Sequence, residues 1–271
     1  MQSQELVTGL PVFKVADMQK VCEACQFGKQ ARGAFSHDKN VSKNVLELVH
    51  SDVWGPTKTA SMGGCRFYVT FIDDHTRRKV WVYFMKEKSE VFTHFQNFKA
   101  LVEKQTGNYI QCLRSDGGGE YISNEFANFL KKHGIQRQLS CRYTPQQNGV
   151  AEWKNRHIAE VARAFMAEKN MPHYYWAEAV STAVYIMNRT PTAAAVHNVT
   201  PEEKFTGRKP DLAHLKVFGC IAYVHVPDEL RTKLDPKAEN CVFIGYSLEQ
   251  NGYKCYNPIT RQMRVRKDVV F

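Results

Sequence analysis

The chain has 271 residues and a formal net charge of +10 at pH 7, and 43% of its residues are hydrophobic. No stretch approaches the roughly 18–20 apolar residues of a membrane span, and the first residues lack the charged-then-apolar order of a signal peptide. The length allows one medium-sized domain and a smaller one. The charge favours a polyanion such as nucleic acid as partner, although a merely basic soluble protein would carry the same charge.

Cys22 and Cys25 form the first pattern with chemical meaning, a C-x-x-C pair. The pair supplies two of the four ligands that a tetrahedral zinc site needs. A thioredoxin-like redox pair is a weaker interpretation, because no βαβ pattern surrounds these residues. The other cysteines are scattered through strand-like segments, where free thiols behave as small buried hydrophobes. We therefore expect a reduced, intracellular protein.

Strands and helices alternate through the middle of the chain. Strands are predicted over 45–52, 66–73 and 79–85, and a turn over 74–77 joins the last two into a hairpin. A helix is predicted over 90–105, with Ser89 as its N-cap. Its buried face is predicted to consist of Val91, Phe95, Phe98 and Val102. A strand over 109–113, a helix from 124 and a strand over 135–140 follow.

Three acids stand at the ends or beginnings of these elements. Asp52 ends the first predicted strand, Asp116 follows a later strand, and Glu152 opens a helix predicted over 151–169. Asp116 and Glu152 are separated by 35 intervening residues. Three glycines follow Asp116, and they allow a sharp turn and the close approach of a phosphate.

These acids fit the chemistry of phosphodiester bonds. Mg²⁺ prefers oxygen ligands and is held by few carboxylates, and two such ions about 3.5–4 Å apart activate an attacking oxygen and stabilise a leaving one. We interpret Asp52, Asp116 and Glu152 as catalytic ligands of two Mg²⁺ or Mn²⁺ ions. Most of the 27 acidic residues are ordinary solvated charges, but here the spacing, two strand contexts and a helix context coincide.

A polar loop over 143–149 leads directly to Glu152. Glutamine and asparagine hydrogen-bond to both phosphates and base edges, so we expect a mobile loop over the site that contacts DNA. An ordinary surface loop and a solvated helix face remain the alternative. The predicted DNA contacts are Tyr143, Gln146, Gln147, Asn148, Lys154 and Arg156, with His157 as a further candidate.

Towards the C-terminus the sequence pattern changes from helical to short strands. A helix over 173–189 is predicted to face inward with Trp176, Val180, Val184 and Met187. A connector with Pro, Thr and Ala follows, and short strands with intervening turns over 214–271 predict a small β-barrel. The basic end of this barrel either binds DNA or keeps an edge strand soluble. It contains Arg261, Arg264, Arg266 and Lys267.

Several blocks resemble the integrase core of Ty1/copia-type retrotransposon polyproteins, particularly those of plants. The blocks are HSDVWGP, FIDDHTRRKVWVYFMKEKSEVF, LRSDGGGEY, YTPQQNGVAEWKN, WAEAV and YIMNRTPT. The resemblance implies a ribonuclease H-like α/β fold with a mixed five-stranded sheet and flanking helices, followed by an SH3-like β-barrel. It also implies a D,D-35-E site that trims the ends of element DNA and joins them to target DNA. Two positions depart from the family pattern: Gly117 replaces an Asn, and Trp153 replaces an Arg.

The resemblance also implies a domain order and partners. The expected parts are a zinc-module remnant and linker over 1–40, a catalytic core over 41–190, a connector over 191–213 and an SH3-like domain over 214–271. The family's zinc module has two histidines before its cysteine pair, and no His precedes Cys22. The chain is therefore expected to begin inside that module, with an incomplete zinc site. The resemblance also implies that the protein binds double-stranded DNA, forms a homo-oligomer and acts in the nucleus after a cytoplasmic particle stage.

Two other functions keep the same fold. One is a ribonuclease H-like nuclease, which the acid spacing and the polar loop disfavour. The other is a DNA-binding remnant of a degenerate element. The two departures and the missing histidine pair motivate it, and the retention of all three acids opposes it.

Overall fold

The computed structural model describes residues 41–76, 78–140, 148–191 and 199–271. The described residues belong to one compact unit, which contains two β-sheets. Cys22, Cys25, Tyr143, Gln146 and Gln147 lie outside the described residues. Within the described part, no helix is long and apolar enough to cross a membrane. The division into separate catalytic and SH3-like domains stays a prediction.

The first sheet is mixed, with the strand order β3-β2-β1-β4-β5. Its strands are β1 (Leu48–Trp54), β2 (Phe67–Asp73), β3 (Lys79–Met85), β4 (Cys112–Ser115) and β5 (Gln136–Leu139). Strands β1 to β3 pair antiparallel, whereas β4 pairs parallel with both β1 and β5. This is the mixed five-stranded sheet that the resemblance implies. The predicted bounds of the third strand are confirmed, and the first strand begins three residues later than predicted.

Helices cover both faces of the first sheet. They are α1 (Val91–Thr106), α2 (Gly119–Ile122), α3 (Asn124–Lys132), α4 (Gly149–Glu168), α5 (Trp176–Arg189) and α6 (Pro201–Thr206). Successive side chains of a strand point to opposite faces, so Phe71 of β2 packs in the core under α1 and α3. Its neighbour Ile72 packs in the core under α4 and α5.

The predicted inward faces of α1 and α5 are confirmed. All four predicted positions of α1 are fully buried, and the four of α5 are at most 8% exposed. The predicted N-cap at Ser89 is wrong. Glu87 and Glu90 form a capping box there, in which the Glu90 carboxylate accepts hydrogen bonds from the backbone N–H groups of Lys86 and Glu87. A glutamate thus takes the acceptor role that serine more often has.

The segment expected to be a plain connector contains helix α6. Thr200 caps it by accepting a hydrogen bond from the Glu203 N–H at 3.1 Å, and Pro201 occupies the first turn. Proline suits that position because its missing N–H has no helical partner there. The Lys79 ammonium on β3 lies 2.6 Å from a Glu202 carboxylate oxygen and 4.6 Å from the centroid of the Phe205 ring. These contacts hold α6 against β3.

The second sheet is entirely antiparallel, with the order β10-β6-β7-β8-β9. Its strands are β6 (Ile221–His225), β7 (Ala238–Tyr246), β8 (Tyr253–Asn257), β9 (Gln262–Arg266) and β10 (Val269–Val270). The sheet agrees with the expected SH3-like fold. It contains its own small core around Phe243 and Cys255.

Helix α5 of the first layer is packed directly against strand β7 of the second sheet. The Tyr185 and Tyr246 rings stack with centroids 4.3 Å apart, and the Tyr185 hydroxyl lies 2.8 Å from His214 Nε2. Gly245 has φ +135°, and a Cβ there would lie 2.6 Å from Thr182 Oγ1. Only glycine accepts both that backbone conformation and that approach. The second sheet is therefore joined to the helix by close packing.

An asparagine of α5 pairs with the outer edge of the first sheet. Strand β3 is at the edge, and an edge strand exposes unpaired backbone groups. The Asn188 side chain donates to the Val80 carbonyl at 2.8 Å and accepts from the Val80 N–H at 2.9 Å. The side-chain amide thus replaces one residue of a neighbouring strand and satisfies both backbone groups.

Replacing Asn188 with alanine should lower the free energy of unfolding by about 2–3 kcal/mol, because two buried backbone groups lose their partners. Urea unfolding at neutral pH measures this loss. Asn240→Ala is the matched control, since Asn240 is exposed on β7 and surface changes usually stay within about 0.5 kcal/mol. Equal stability of the two variants would show that the pairing contributes nothing.

Candidate active site

Parallel pairing of β1 and β4 brings Asp52 and Asp116 to the same edge of the first sheet. His50 is paired with Arg114, and each acid comes two residues after its member of that pair. Asp116 follows β4, as predicted, but Asp52 lies inside β1, two residues before its end. Glu152 is in the first turn of α4. The structure thus gathers the three predicted acids around one end of β1 and β4.

The acids lie within electrostatic reach of one another. The pKa of Asp52 is raised to about 6: burial raises it most, the hydrogen bond from Asn155 lowers it, and the charges of Asp116 and Glu152 raise it. Burial and the Asp116 charge likewise raise the pKa of Glu152, while Arg156 acts in the opposite direction. Within the described residues, no three His, Cys, Asp or Glu side chains stand close enough together to hold a metal.

The donor set nevertheless fits a hard divalent cation. Carboxylate oxygens are the ligands that Mg²⁺ prefers. A cation bound among Asp52, Asp116 and Glu152 would offset the like-charge repulsion that raises the pKa of Asp52.

Asn155 and Thr70 orient Asp52, and neither was predicted to belong to the site. Asn155 Nδ2 donates to Asp52 Oδ2 at 2.9 Å. The Thr70 hydroxyl donates to Asn155 Oδ1 at 2.9 Å, so the amide can present only its NH₂ group to the carboxylate. Helical spacing could have identified Asn155, because it lies three residues after Glu152 on the same helix. Thr70 is a buried strand residue with no distinguishing signal in the sequence.

A second buried contact lies beneath Asp52. Asn148 Nδ2 donates to the Ser51 carbonyl at 3.1 Å, and the Ser51 hydroxyl lies 2.7 Å from the Tyr121 hydroxyl. Burial raises the pKa of Tyr121 well above its ordinary value, so the phenol stays protonated. The first bond ties the start of α4 to strand β1, and the second ties helix α2 to the same strand.

Two of the residues predicted to contact DNA are buried in this structure. Asn148 is 1% exposed and bonded to β1, and Lys154 is also 1% exposed. Burial, and next the charge of Arg78, lower the pKa of Lys154 to about 8. Helical periodicity explains the outcome, since Lys154 lies three residues after buried Ala151 and four before buried Ile158. Arg156 is exposed and stays a candidate contact.

Of the three glycines after Asp116, only Gly118 is closely packed. The Gly118 N–H donates to Asp116 Oδ1 at 3.1 Å. A Cβ at Gly118 would lie 2.8 Å from the Glu120 carboxyl group. Glu120, which was not predicted to belong here, is held by Lys88 at 3.3 Å. The loop thus folds a fourth acid towards Asp116, with Lys88 balancing its charge.

Two protein families match parts of the chain. Residues 43–145 match the integrase core domain, and residues 220–271 match the retroviral polymerase SH3-like domain. The chain is similar to the retrovirus-related Pol polyprotein from transposon TNT 1-94 of Nicotiana tabacum, with 47% identity over 252 residues, which is 93% of this chain and 19% of that polyprotein. It is also 37% identical to the Pol polyprotein from transposon RE2 of Arabidopsis thaliana, over 97% of this chain and 18% of the relative. The chain therefore spans about a fifth of the length of these relatives.

A solved structure resembles the fold of the chain. It is a cryo-EM structure of the simian T-cell lymphotropic virus intasome in complex with a regulatory subunit of PP2A. The TM-score is 0.54 at 16% identity, and the match covers 94% of this chain and 88% of the other. At that identity, the likeness shows a shared fold.

Asp52→Asn should stabilise the metal-free protein above pH 6. The folded-state pKa of Asp52 is raised from 3.8 to about 6, so ionisation opposes folding. The wild-type protein therefore loses none of this stability below about pH 4 and all of it above about pH 6. Because the carboxyl group is partly exposed, we expect a gain of about 1–3 kcal/mol at pH 8 and little difference near pH 4. Urea unfolding in EDTA across this range measures it, and a variant less stable at pH 8 would contradict the expectation.

Thr70→Val should raise the pKa of Asp52 above its value of about 6. Without the hydroxyl, nothing keeps Asn155 Oδ1 turned away from the carboxylate, so the hydrogen bond that favours the charged form weakens. Carboxyl carbon NMR measures the titration, with Asp52→Asn to assign the resonance. Thr260→Val, at an exposed turn of the second sheet, is the control. An Asp52 titration identical in Thr70→Val and wild type would remove Thr70 from the site.

Proposed function

We propose that this chain, which carries the integrase core and SH3-like domains of a copia-type retrotransposon Pol polyprotein, is a metal-dependent polynucleotidyl transferase. Its reactions would be the trimming of element DNA ends and the transfer of the 3′-hydroxyl groups to target DNA. The observation that carries the proposal is the convergence of Asp52, Asp116 and Glu152 at one edge of the sheet, where the Asp116 charge acts on Asp52 and Glu152 and the Glu152 charge acts on Asp52.

The carboxylates would hold the two divalent cations, Mg²⁺ or Mn²⁺. The chemistry that such a pair supplies when bound is activation of the attacking oxygen and stabilisation of the leaving oxygen. Asp52 is inside a paired strand, Asp116 follows one, and Glu152 is at the start of a helix, so their backbones are fixed by elements of the fold. Asn155 keeps one Asp52 oxygen in a hydrogen bond, so the other oxygen would be the one to bind a cation.

The charge distribution supports double-stranded DNA as the partner. The formal charge of +10 favours sequence-independent binding to phosphates, and exposed Arg156 lies one helical turn after Glu152. We further propose a homo-oligomer that acts in the nucleus, on element ends and target DNA together. The likeness to an intasome chain supports the assembly as a hypothesis.

A DNA-binding protein without catalytic activity is the competing candidate. It is favoured by the absence, within the described residues, of a group of acids close enough to hold a metal. The two functions differ in whether a cation draws the three carboxylates together. A metal-dependent joining reaction distinguishes them directly.

Asp116→Asn and Glu152→Gln should each lower strand transfer at least 100-fold and leave DNA affinity within a factor of about 2, because each removes a metal-binding charge from the reacting centre alone. The assay uses a short duplex with a free 3′-hydroxyl, a supercoiled target and Mn²⁺ or Mg²⁺. Glu160→Gln is the matched control, since Glu160 is an exposed acid on the same helix.

The products separate the candidate functions. Joined DNA from the wild type and the control alone supports the integrase. Cleavage without joining favours a nuclease. Salt-sensitive DNA binding with no product from any of the four proteins would support the non-catalytic form.

A further inference from the structure

Glu120 has a buried carboxylate that the proposed reaction does not use. It is in the first turn of helix α2, and its side chain is only 7% exposed. Glutamate side chains are almost never this buried unless they are paired. The Lys88 ammonium lies 3.3 Å from Glu120 Oε1, and the Lys88 side chain is 49% exposed. A surface lysine thus holds a buried acid at the border of the candidate site.

The Glu120 carboxyl group lies against the turn that follows Asp116. A Cβ at Gly118 would lie 2.8 Å from Glu120 Oε2 and 3.1 Å from Asp116 Oδ1, so both carboxyl groups approach Gly118 from the same side. The Gly118 N–H also donates to Asp116 Oδ1. Gly118 is therefore the link through which Glu120 acts on the position of the Asp116 carboxylate.

The turn itself has few contacts that keep it in one conformation. Gly117 and Gly119 are exposed, and a Cβ on either would meet nothing within 4 Å. Glycine has more backbone freedom than any other residue. A run of three glycines therefore leaves the Asp116 side chain free to move unless contacts from outside the turn hold it.

Two neighbouring side chains of α2 anchor the turn to different elements. Tyr121 reaches strand β1, where its hydroxyl lies 2.7 Å from the Ser51 hydroxyl. Glu120 reaches Lys88, which lies in the short turn directly before helix α1. That turn is fixed in its own right, because the Glu90 carboxylate accepts hydrogen bonds from the N–H groups of the two residues before Lys88. The Lys88–Glu120 ion pair thus joins the glycine turn to the start of α1.

We propose that the Lys88–Glu120 ion pair is a positioning device that holds the Asp116 carboxylate in place for a divalent cation before DNA binds. The inference rests on the proposed function, in which Asp116 is a metal ligand. Glu120 acts through Gly118 and does not touch the cation. A group that is already in place loses less conformational entropy on binding, so the ion pair strengthens cation binding.

A direct electrostatic role for Glu120 predicts the opposite response to the loss of Lys88. If Glu120 acted only as a further negative charge near the cation, removal of the Lys88 charge would leave that negative charge uncompensated and tighten cation binding. If the ion pair positions Asp116, the same change releases the glycine turn and weakens cation binding. The sign of the effect therefore separates the two roles.

Binding of Mn²⁺ to the DNA-free protein tests the ion pair, measured as loss of the electron paramagnetic resonance signal of free Mn²⁺. Lys88→Met and Glu120→Gln should each weaken Mn²⁺ affinity about 3–5-fold, near the upper limit for a partly exposed ion pair. The double variant should be no weaker than either single variant, because both changes remove the same contact. Lys88→Arg keeps the ion pair and should bind like the wild type.

The surroundings of the ion pair make these variants informative. Lys88 and Glu120 line an open pocket of about 530 Å³, so the new side chains are accommodated without repacking a core. Lys99→Met is the matched control, since Lys99 is another paired lysine, 2.7 Å from Glu103 on α1, and it should leave Mn²⁺ affinity unchanged.

Three results of the binding experiment would overturn the positioning role. One is wild-type or tighter Mn²⁺ binding by Lys88→Met. Another is a loss in the double variant that equals the product of the two single losses, because the residues would then act independently. The third is a wild-type protein that binds no Mn²⁺ in the absence of DNA.

Strand transfer separates this inference from the proposed function. In Lys88→Met, the Mn²⁺ concentration for half-maximal joining should rise by the same factor as the loss of affinity, while the rate at saturating Mn²⁺ stays close to that of the wild type. An equal loss of rate at every Mn²⁺ concentration would overturn the positioning role. Joining by the wild type with an unchanged Mn²⁺ dependence in Lys88→Met would overturn the positioning role alone. No joined DNA from the wild type would overturn the proposed function.

Discussion

The junction between helix α4 and strand β1 determines the geometry of the candidate site. Two side-chain amides make it: Asn148 bonds to the Ser51 carbonyl, and Asn155 bonds to the Asp52 carboxylate. Asn148 is the N-cap of α4 and Asn155 lies two turns further along the helix. Together they fix both the distance and the rotation of the helix relative to the strand. Glu152 lies between them in sequence and takes its position from both. The pairing of β1 with β4 then adds Asp116 at a distance set by the sheet.

This geometry has a cost in stability that fits a cation-binding role. Asp52 is drawn out of water beside two other acids, and its raised pKa measures how unfavourable the charged form is there. The compensating hydrogen bonds around it are few and directed. A protein selected for stability alone would place an apolar side chain at that position of a buried strand.

Periodicity predicted the fold well where one face of an element is buried. The strand Lys79–Met85 and the inward residues of α1 and α5 were correct because alternation and helical spacing are strong there. The cap at Ser89 was wrong and helix α6 within the connector was not predicted, since Glu87, Glu90 and Thr200 act through local hydrogen bonds that compete with simple propensity. The acids were found from strand and helix context. The groups that orient Asp52 were not found. Helical spacing from Glu152 could have identified Asn155, but a single sequence contains no signal that Asn155 meets Thr70, 85 positions away in the chain.

The close packing of Gly245 against Thr182 fixes the second sheet to the helix that also covers the first. The separation between the basic edge at β9 and the acids is consequently set by rigid contacts. The length of the intervening connector does not determine it. The distance between the two surfaces is therefore constant, and any polymer that contacts both of them must extend over that distance.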